Sequence, residues 1–219
     1  GTSIEELQRL CDVHSALFHG SATDAQKLHA KDIQDQRLSA AAALIQISGH
    51  PLQTFTLENA ALEKLIARAK QVLENGTIND GSLNELRQIA IHYARKGDLL
   101  YPHLKVQYGI SGPSAVMWTV DDEIRDELNA LAKQKDQKET DAWKQRLNAV
   151  LTRMEEMIYK ESNILFPNCA LNFSEEEWYH IYRDAKDYAE CFGIRGDSWD
   201  AAEAHLADTA STVGTMSAE

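Results

Sequence analysis

The stretch HYARKGDLLYP, residues 92–102, returns in altered form as MIYKESNILFP, residues 157–167. When the two segments are aligned on their prolines, their last four residues match in type, and the histidine of the first falls on Met157. A His-x-x-x-Glu pair would place two metal ligands on one face of a helix, because residues i and i+4 stack. The first segment keeps only the histidine of such a pair, His92, and the second keeps only the glutamate, Glu161.

The bulk composition is that of an ordinary globular chain. Its 219 residues suffice for one sizeable core, and 43% of them are hydrophobic and 26% charged. The net charge of −12 argues against nucleic acid and against an anionic membrane surface, since both need clustered basic residues. No apolar run approaches the roughly 18 residues of a membrane span. Three widely spaced cysteines imply no disulfide framework, so we expect a cytoplasmic protein.

Apolar residues recur at three- and four-residue spacing along most of the chain, which predicts an all-α protein. Two helices are expected at 3–18 and 22–47. Four amphipathic helices between 52 and 172, joined by short loops, predict an up-down-up-down bundle. A capping box at Ser174 and Glu177 starts a further helix. We expect three parts, which are an N-terminal helical segment at 1–48, the four-helix bundle with its C-terminal helix at 49–192, and a flexible tail at 193–219.

One polar residue interrupts the apolar stripe of each bundle helix. These interior positions are Glu58 or Asn59, His92, Asp121 and Glu161. A buried carboxylate or imidazole must be ion-paired, hydrogen-bonded or bound to a metal. Facing bundle helices that each point such a group inward are how four-helix proteins build metal sites, and this ligand type suits iron, manganese or zinc. Alternatively, some of the carboxylates face solvent and His92 is a hydrogen-bonded core histidine.

The two aligned segments, together with GPSAVMWTVDDEIR at 112–125, resemble the hemerythrin-like HHE cation-binding domain. That resemblance implies a four-helix bundle around a non-haem di-iron site with histidine and carboxylate ligands. The stretches IEELQRLCDVHSALFHGS at 4–21 and GHPLQTFTLENAALEKLI at 49–66 resemble a bacterial subfamily of unassigned function, in which a helical domain precedes the bundle and a PAS sensor domain often follows. EEEWYHIYRDAKDYAECF at 175–192 is similar to the end of the same bundle.

The resemblance also shows where this chain departs from the family's ligand pattern on the first two bundle helices. In the family a histidine follows the glutamate that aligns with Glu58, and here Asn59 stands in its place. His92 matches the histidine of the second helix, but the glutamate expected four residues later is replaced by Lys96.

The third and fourth helices depart in the same way. Asp121 stands where the family has a histidine, and Met157 replaces the histidine of the fourth helix, whose glutamate is Glu161. The metal ligands implied by the resemblance are therefore His92, Glu161, Asp121 and Glu58. His50 is a further candidate ligand, although its place before a proline also marks it as a helix-entry residue.

Three functional hypotheses remain open. The first is a sensor or metal-handling module that binds non-haem iron or another divalent metal, with oxygen or nitric oxide as its gas ligand. The second is a metal-free bundle for interaction, dimerisation as a homodimer, or signalling. Lys96 supports this hypothesis, because its ammonium could lie near Glu161 and neutralise it. The third is haem binding, with His92 and Met157 as axial ligands. We expect no enzyme, since the chain has no nucleophile–base pair, phosphate loop or Cys-x-x-Cys motif.

Overall fold

The computed structural model describes residues 23–108 and 112–216, and within these ranges every regular element is a helix. The described residues contain no β-strand, and one isolated bridge joins Cys191 to Ile194. The all-α fold class is confirmed. The helix expected at 3–18 lies outside the described residues. Among the residues that are described, no helix combines the length and the apolar character that a bilayer crossing requires.

The helices of the described residues follow one another with short connections. They are α1 (Asp24–Ile45), α2 (Pro51–Asn75), α3 (Asp80–Arg87), α4 (Ile89–Leu99), α5 (Tyr101–Tyr108), α6 (Gly112–Lys133), α7 (Asp141–Lys160), α8 (Phe166–Asn172), α9 (Glu175–Ala185) and α10 (Asp200–Met216). A 3₁₀ turn at Lys135–Gln137 precedes α7, and a π-helical turn at Glu161–Leu165 joins α7 to α8.

Four segments of these helices form the bundle, namely α2, α3 with α4, α6, and α7. Helix α2 packs on α3 and α7, and α6 packs on α7, α3 and α4, so each segment has two neighbours around one core. Helix α1 lies against α2 and α8, and α9 lies against α2, α4 and α10. A bundle with additional N-terminal and C-terminal helices is therefore confirmed. Its core includes Leu62, Leu86, Ile124, Leu128 and Leu151.

Both proline-ending segments interrupt a helix just before the proline. A proline has no N–H, and its ring clashes with the carbonyl group four residues earlier, so a regular α-helix does not continue through it. Before Pro102 the chain breaks at Leu100, between α4 and α5. Before Pro167 the backbone widens instead, and the Phe166 N–H donates to the carbonyl of Glu161.

The π-helical turn is also held from outside by α1. The carbonyl of Asn163, four residues before Pro167, accepts a hydrogen bond of 2.9 Å from Nε2 of Gln34. A carbonyl that Pro167 cannot satisfy thus finds its partner on the helix that precedes the bundle.

Some boundaries differ from the expectations drawn from the sequence. One of the four helices expected between 52 and 172 is divided into α3, α4 and α5, and the helix that begins after Ser174 ends at Ala185. The range 193–219, expected as a flexible tail, contains α10. Burial of Trp199 and Ala202 against the bundle fixes the start of this helix. The sequence does not reveal these two apolar contacts, because the stretch that contains them is rich in alanine, serine and threonine.

Candidate functional site

Six ionisable side chains meet inside the bundle, and we call them the central network. They are Glu58 of α2, His92, Arg95 and Lys96 of α4, Asp121 of α6, and Glu161 at the first position of the π-helical turn. All six are buried, and His92, Lys96 and Glu161 have 0% exposure. A charge removed from water this completely is tolerated only if other charges and hydrogen bonds surround it.

His92 lies between two carboxylates. Its Nδ1 is 2.8 Å from Oε1 of Glu58, and its Nε2 is 2.7 Å from Oε1 of Glu161. Ionised carboxylates only accept hydrogen bonds, so both ring nitrogens donate and the side chain is an imidazolium. Burial opposes this charge, but Glu161 and Glu58 outweigh burial and raise the pKa of His92 to about 9. His92 and Glu161, two of the interior positions expected from the sequence, both point into the bundle and contact one another directly.

Lys96 bridges Glu161 to the third carboxylate, Asp121. Its Nζ donates to Oδ1 of Asp121 and to Oε2 of Glu161, each at 2.8 Å. The Tyr101 hydroxyl donates to the second oxygen of Asp121 at 2.9 Å. The ammonium also lies 4.4 Å from the ring centroid of Tyr93, a cation–π distance. The ammonium beside Glu161, which the metal-free hypothesis requires, is thus present.

Arg95 completes the network at its opposite end. Its Nη2 lies 2.5 Å from Oε2 of Glu58 and 3.8 Å from Sγ of Cys191, and its guanidinium lies 5.0 Å from the ring centroid of Phe55. Neither Arg95 nor Cys191 is among the candidate residues predicted from the sequence. The spacing of Arg95, three residues after His92, could have placed it on the same helix face. Cys191 gave no comparable signal, because it reaches the site from a loop far along the chain.

The central network balances its charges. Burial tends to raise the pKa of Glu161, but Lys96 and His92 overcome that tendency and lower it to about 2. Burial likewise opposes the ionised form of Glu58, and its hydrogen bond and ion pair with His92, with help from Arg95, lower its pKa. For Asp121 burial prevails over Lys96 and raises the pKa to about 6. At neutral pH three carboxylates therefore face three cations.

Asn59 borders the network without carrying charge. Its Nδ2 donates to Oε1 of Glu161 at 3.1 Å, so Glu161 receives bonds from three side chains. The amide oxygen of Asn59 is buried and has no hydrogen-bond partner within residues 23–108 and 112–216. This orphan acceptor lies at the position where the resemblance expects a histidine.

The structure does not bring His50 together with the other candidate ligands. His50 is the N-cap of α2, and its Nδ1 accepts a hydrogen bond of 3.0 Å from the Leu52 N–H. It precedes Glu58 by eight residues, which is about 12 Å along a helix. Its ring packs against Trp178 and Trp199, and burial lowers its pKa to about 3. These contacts fit a neutral helix-entry residue.

The central network does not fit a two-metal centre in this arrangement. A metal ligand must present a free lone pair, and imidazole must be neutral to bind a metal. Both nitrogens of His92 are engaged with carboxylates, and Lys96 holds one oxygen of Asp121 and one of Glu161. The same contacts leave no nitrogen of His92 for a haem iron.

A smaller set of donors is compatible with a single cation. One ligand atom each from Glu58, His92 and Cys191 lies within 4.8 Å of the others, and all three residues are buried. Burial, and then the charge of Glu58, raises the pKa of the Cys191 thiol. A cation here requires Cys191 and His92 to lose protons and Arg95 to release Glu58.

Comparison with known families assigns the fold. Residues 50–169 match the model of the family described as the hemerythrin HHE cation binding domain. The match covers more than half of the chain, and the protein belongs to the hemerythrin family. Comparison with curated proteins gave no match. Cation binding is the property that this family implies, and the cluster of Glu58, His92 and Cys191 is compatible with it.

Proposed function

We propose that this member of the hemerythrin family is a non-catalytic, metal-independent module for signalling or protein interaction. His92, Arg95 and Lys96 supply the positive charge that the family resemblance would assign to a metal centre. The observation that carries the proposal is the bridge of Lys96 Nζ to Asp121 and Glu161, 2.8 Å to each.

Competition between a metal ion and Lys96 favours the lysine. A metal bound by Asp121 and Glu161 would have to displace an ammonium that has 0% exposure and lies beside two tyrosine rings. The displaced ammonium would then be buried without a partner, which costs several kcal/mol. Metal binding at this position therefore starts with a penalty that a site without lysine does not have.

A signalling role is supported by the way that the network joins separate helices. It connects α2, α4, α6 and the π-helical turn through charge-assisted hydrogen bonds, which are stronger than neutral ones. A change at one of these pairs alters the partners of the next. The resemblance to a subfamily in which a PAS sensor domain often follows the bundle supports the same role.

The test is the metal content of the wild-type chain. Protein purified without chelators and then dialysed against excess ferrous iron or zinc is expected to stay far below one metal per chain, with its helical content unchanged. The double variant Lys96→Glu with Asn59→His returns two ligands to the inner face and is expected to bind more iron than the wild type. Stoichiometric iron in the wild-type protein, with Lys96 intact, would overturn the proposal.

A single-cation site is the second candidate function, favoured by the close approach of donor atoms from Glu58, His92 and Cys191. A thiolate with an imidazole suits zinc. Zinc affinity should rise with pH, because the thiol and the imidazolium must deprotonate. Binding should be lost in Cys191→Ser and retained in Cys169→Ser, which alters a buried cysteine elsewhere. Equal loss in both variants would argue against this site.

A further inference from the structure

A cavity of about 700 Å³ opens beside the Arg95 end of the central network. We call it the side cleft, and it lies between α2, α4, α9 and the loop that leads to α10. Gly49 closes one wall at φ +81°, where a Cβ would lie 2.5 Å from the backbone of Ser198. The volume falls in the range of about 300–1,000 Å³ that is usual for small-molecule sites.

The inner end of the side cleft combines one cation with apolar walls. Arg95 lies there with Glu58, and the walls include Phe55, Leu99 and Ile181. Arg95 is 6% exposed, and only its Nη2 donates to a protein group in the described part of the chain. A guanidinium carries five N–H donors, so the remaining ones are available to a group inside the cleft. Such a fork matches a carboxylate, which it binds with two parallel hydrogen bonds.

The rim of the side cleft limits the charge of its occupant. Lys186 is paired with Glu203 at 2.5 Å, and Arg195 with Glu190 at 3.7 Å. Asp197 adds a further negative charge, and its Oδ2 accepts a hydrogen bond from the hydroxyl of Ser48. The whole chain carries a net charge of −12. A multiply charged anion would be repelled by this surface, whereas one negative charge with an apolar body suits both the rim and the walls.

We propose that the side cleft binds a small organic monocarboxylate with an apolar body, and that Arg95 pairs with its carboxylate. The ligand carboxylate binds the N–H groups of Arg95 that Glu58 does not use, so the two carboxylates share one guanidinium charge. Glu58 also accepts from His92, so occupancy of the cleft weakens the hold of Arg95 on the central network. This ligand site goes beyond the proposed function and does not depend on whether a metal binds elsewhere.

The experiment titrates the full chain with hexanoate, followed by calorimetry and by NMR of the Arg95 side chain. We expect saturable binding with a Kd of about 1 mM or tighter, and much weaker binding of hexanamide and of inorganic phosphate. Arg95→Met should weaken hexanoate binding at least about tenfold, since it removes a charge-assisted pair. Ala185→Trp should also abolish binding, because it fills the cleft while leaving Arg95 in place. Arg183→Met, exposed on the same helix as Ala185 and outside the lining, is the matched control.

Each contrary outcome has a defined meaning. Failure of the folded wild-type chain to bind hexanoate overturns the proposal. If hexanamide binds as tightly as hexanoate, Arg95 does not recognise the carboxylate. If phosphate binds as tightly, the apolar walls do not contribute to binding. Either result also overturns the proposal. Hexanoate binding that survives Ala185→Trp would place the ligand elsewhere. If the Arg95→Met variant does not fold, the Ala185→Trp variant alone shows whether hexanoate binds in the side cleft. Metal content measured on the same samples tests the proposed function independently of hexanoate binding.

Discussion

The two proline-ending segments, 92–102 and 157–167, enter the same core with opposite charges. The first contributes three cations to the central network and the second contributes one carboxylate, Glu161. The aligned positions Lys96 and Glu161 are direct partners, 2.8 Å apart. Two similar segments can therefore meet at their equivalent positions either as like ligands around a metal or as complementary charges. In this protein they meet as complementary charges, so the burial of each charge depends on the other segment.

Removal of Lys96 should break this complementarity most severely. Lys96→Met leaves Asp121 and Glu161 buried without their shared cation, so we expect the free energy of unfolding to fall by about 3–5 kcal/mol. Urea denaturation followed by circular dichroism measures the loss. Lys160→Met is the control within the second segment, since Lys160 is partly exposed outside the network, and it should change stability by less than about 0.5 kcal/mol. A Lys96→Met variant as stable as the wild type would refute the charge pairing.

The contribution of the first segment to stability should depend on pH, because it contains His92, whereas that of the second segment should not. Its pKa is raised from 6.5 to about 9, so its contribution to stability is fully present below pH 6.5 and is lost as pH rises through 9. We expect a loss of at most about 3 kcal/mol over this interval in urea denaturation. His92→Gln should remove this dependence. Met157→Leu changes the aligned position of the second segment, where nothing titrates, and should keep the wild-type profile. A flat wild-type profile would mean that His92 is neutral in the fold.

The smallest difference between the segments is one hydroxyl group. Tyr101 donates to Asp121, whereas the aligned Phe166 has no hydroxyl and is buried among apolar side chains. Tyr101→Phe should cost about 1–2 kcal/mol, because Asp121 loses one hydrogen bond in a buried place. Thermal and urea unfolding measure this effect. A neutral Tyr101→Phe would show that Asp121 is satisfied without it.

Part of this arrangement could be predicted from the sequence, because it follows from periodicity within helices. The bundle and the inward direction of His92 and Glu161 follow from apolar stripes and from the alignment of two segments. The ammonium beside Glu161 follows from the family resemblance, which places Lys96 at a ligand position. The position of His50 directly before Pro51 also predicts its place at the start of a helix.

Other features depend on contacts between distant parts of the chain, which local patterns do not encode. Cys191 reaches Arg95 from a loop after α9, and Trp199 anchors α10 from within a stretch that reads as tail. The charge state of His92 depends on two carboxylates from different helices. The helix breaks before Pro102 and widens before Pro167, where Gln34 of α1, a residue distant in the chain, binds the Asn163 carbonyl.

The π-helical turn has an evolutionary consequence. Such a turn holds one more residue than the α-helical turn it replaces, and each helical residue rotates the chain by about 100°. Loss of the single codon for Ser162 would remove this extra residue, and it would turn Glu161 about 100° away from Lys96 relative to Pro167. A substitution in this turn changes the stability of the core by degrees, whereas an insertion or a deletion turns Glu161 away from its partners altogether. A change of one residue in length therefore separates chains that keep this core from chains that need a different one.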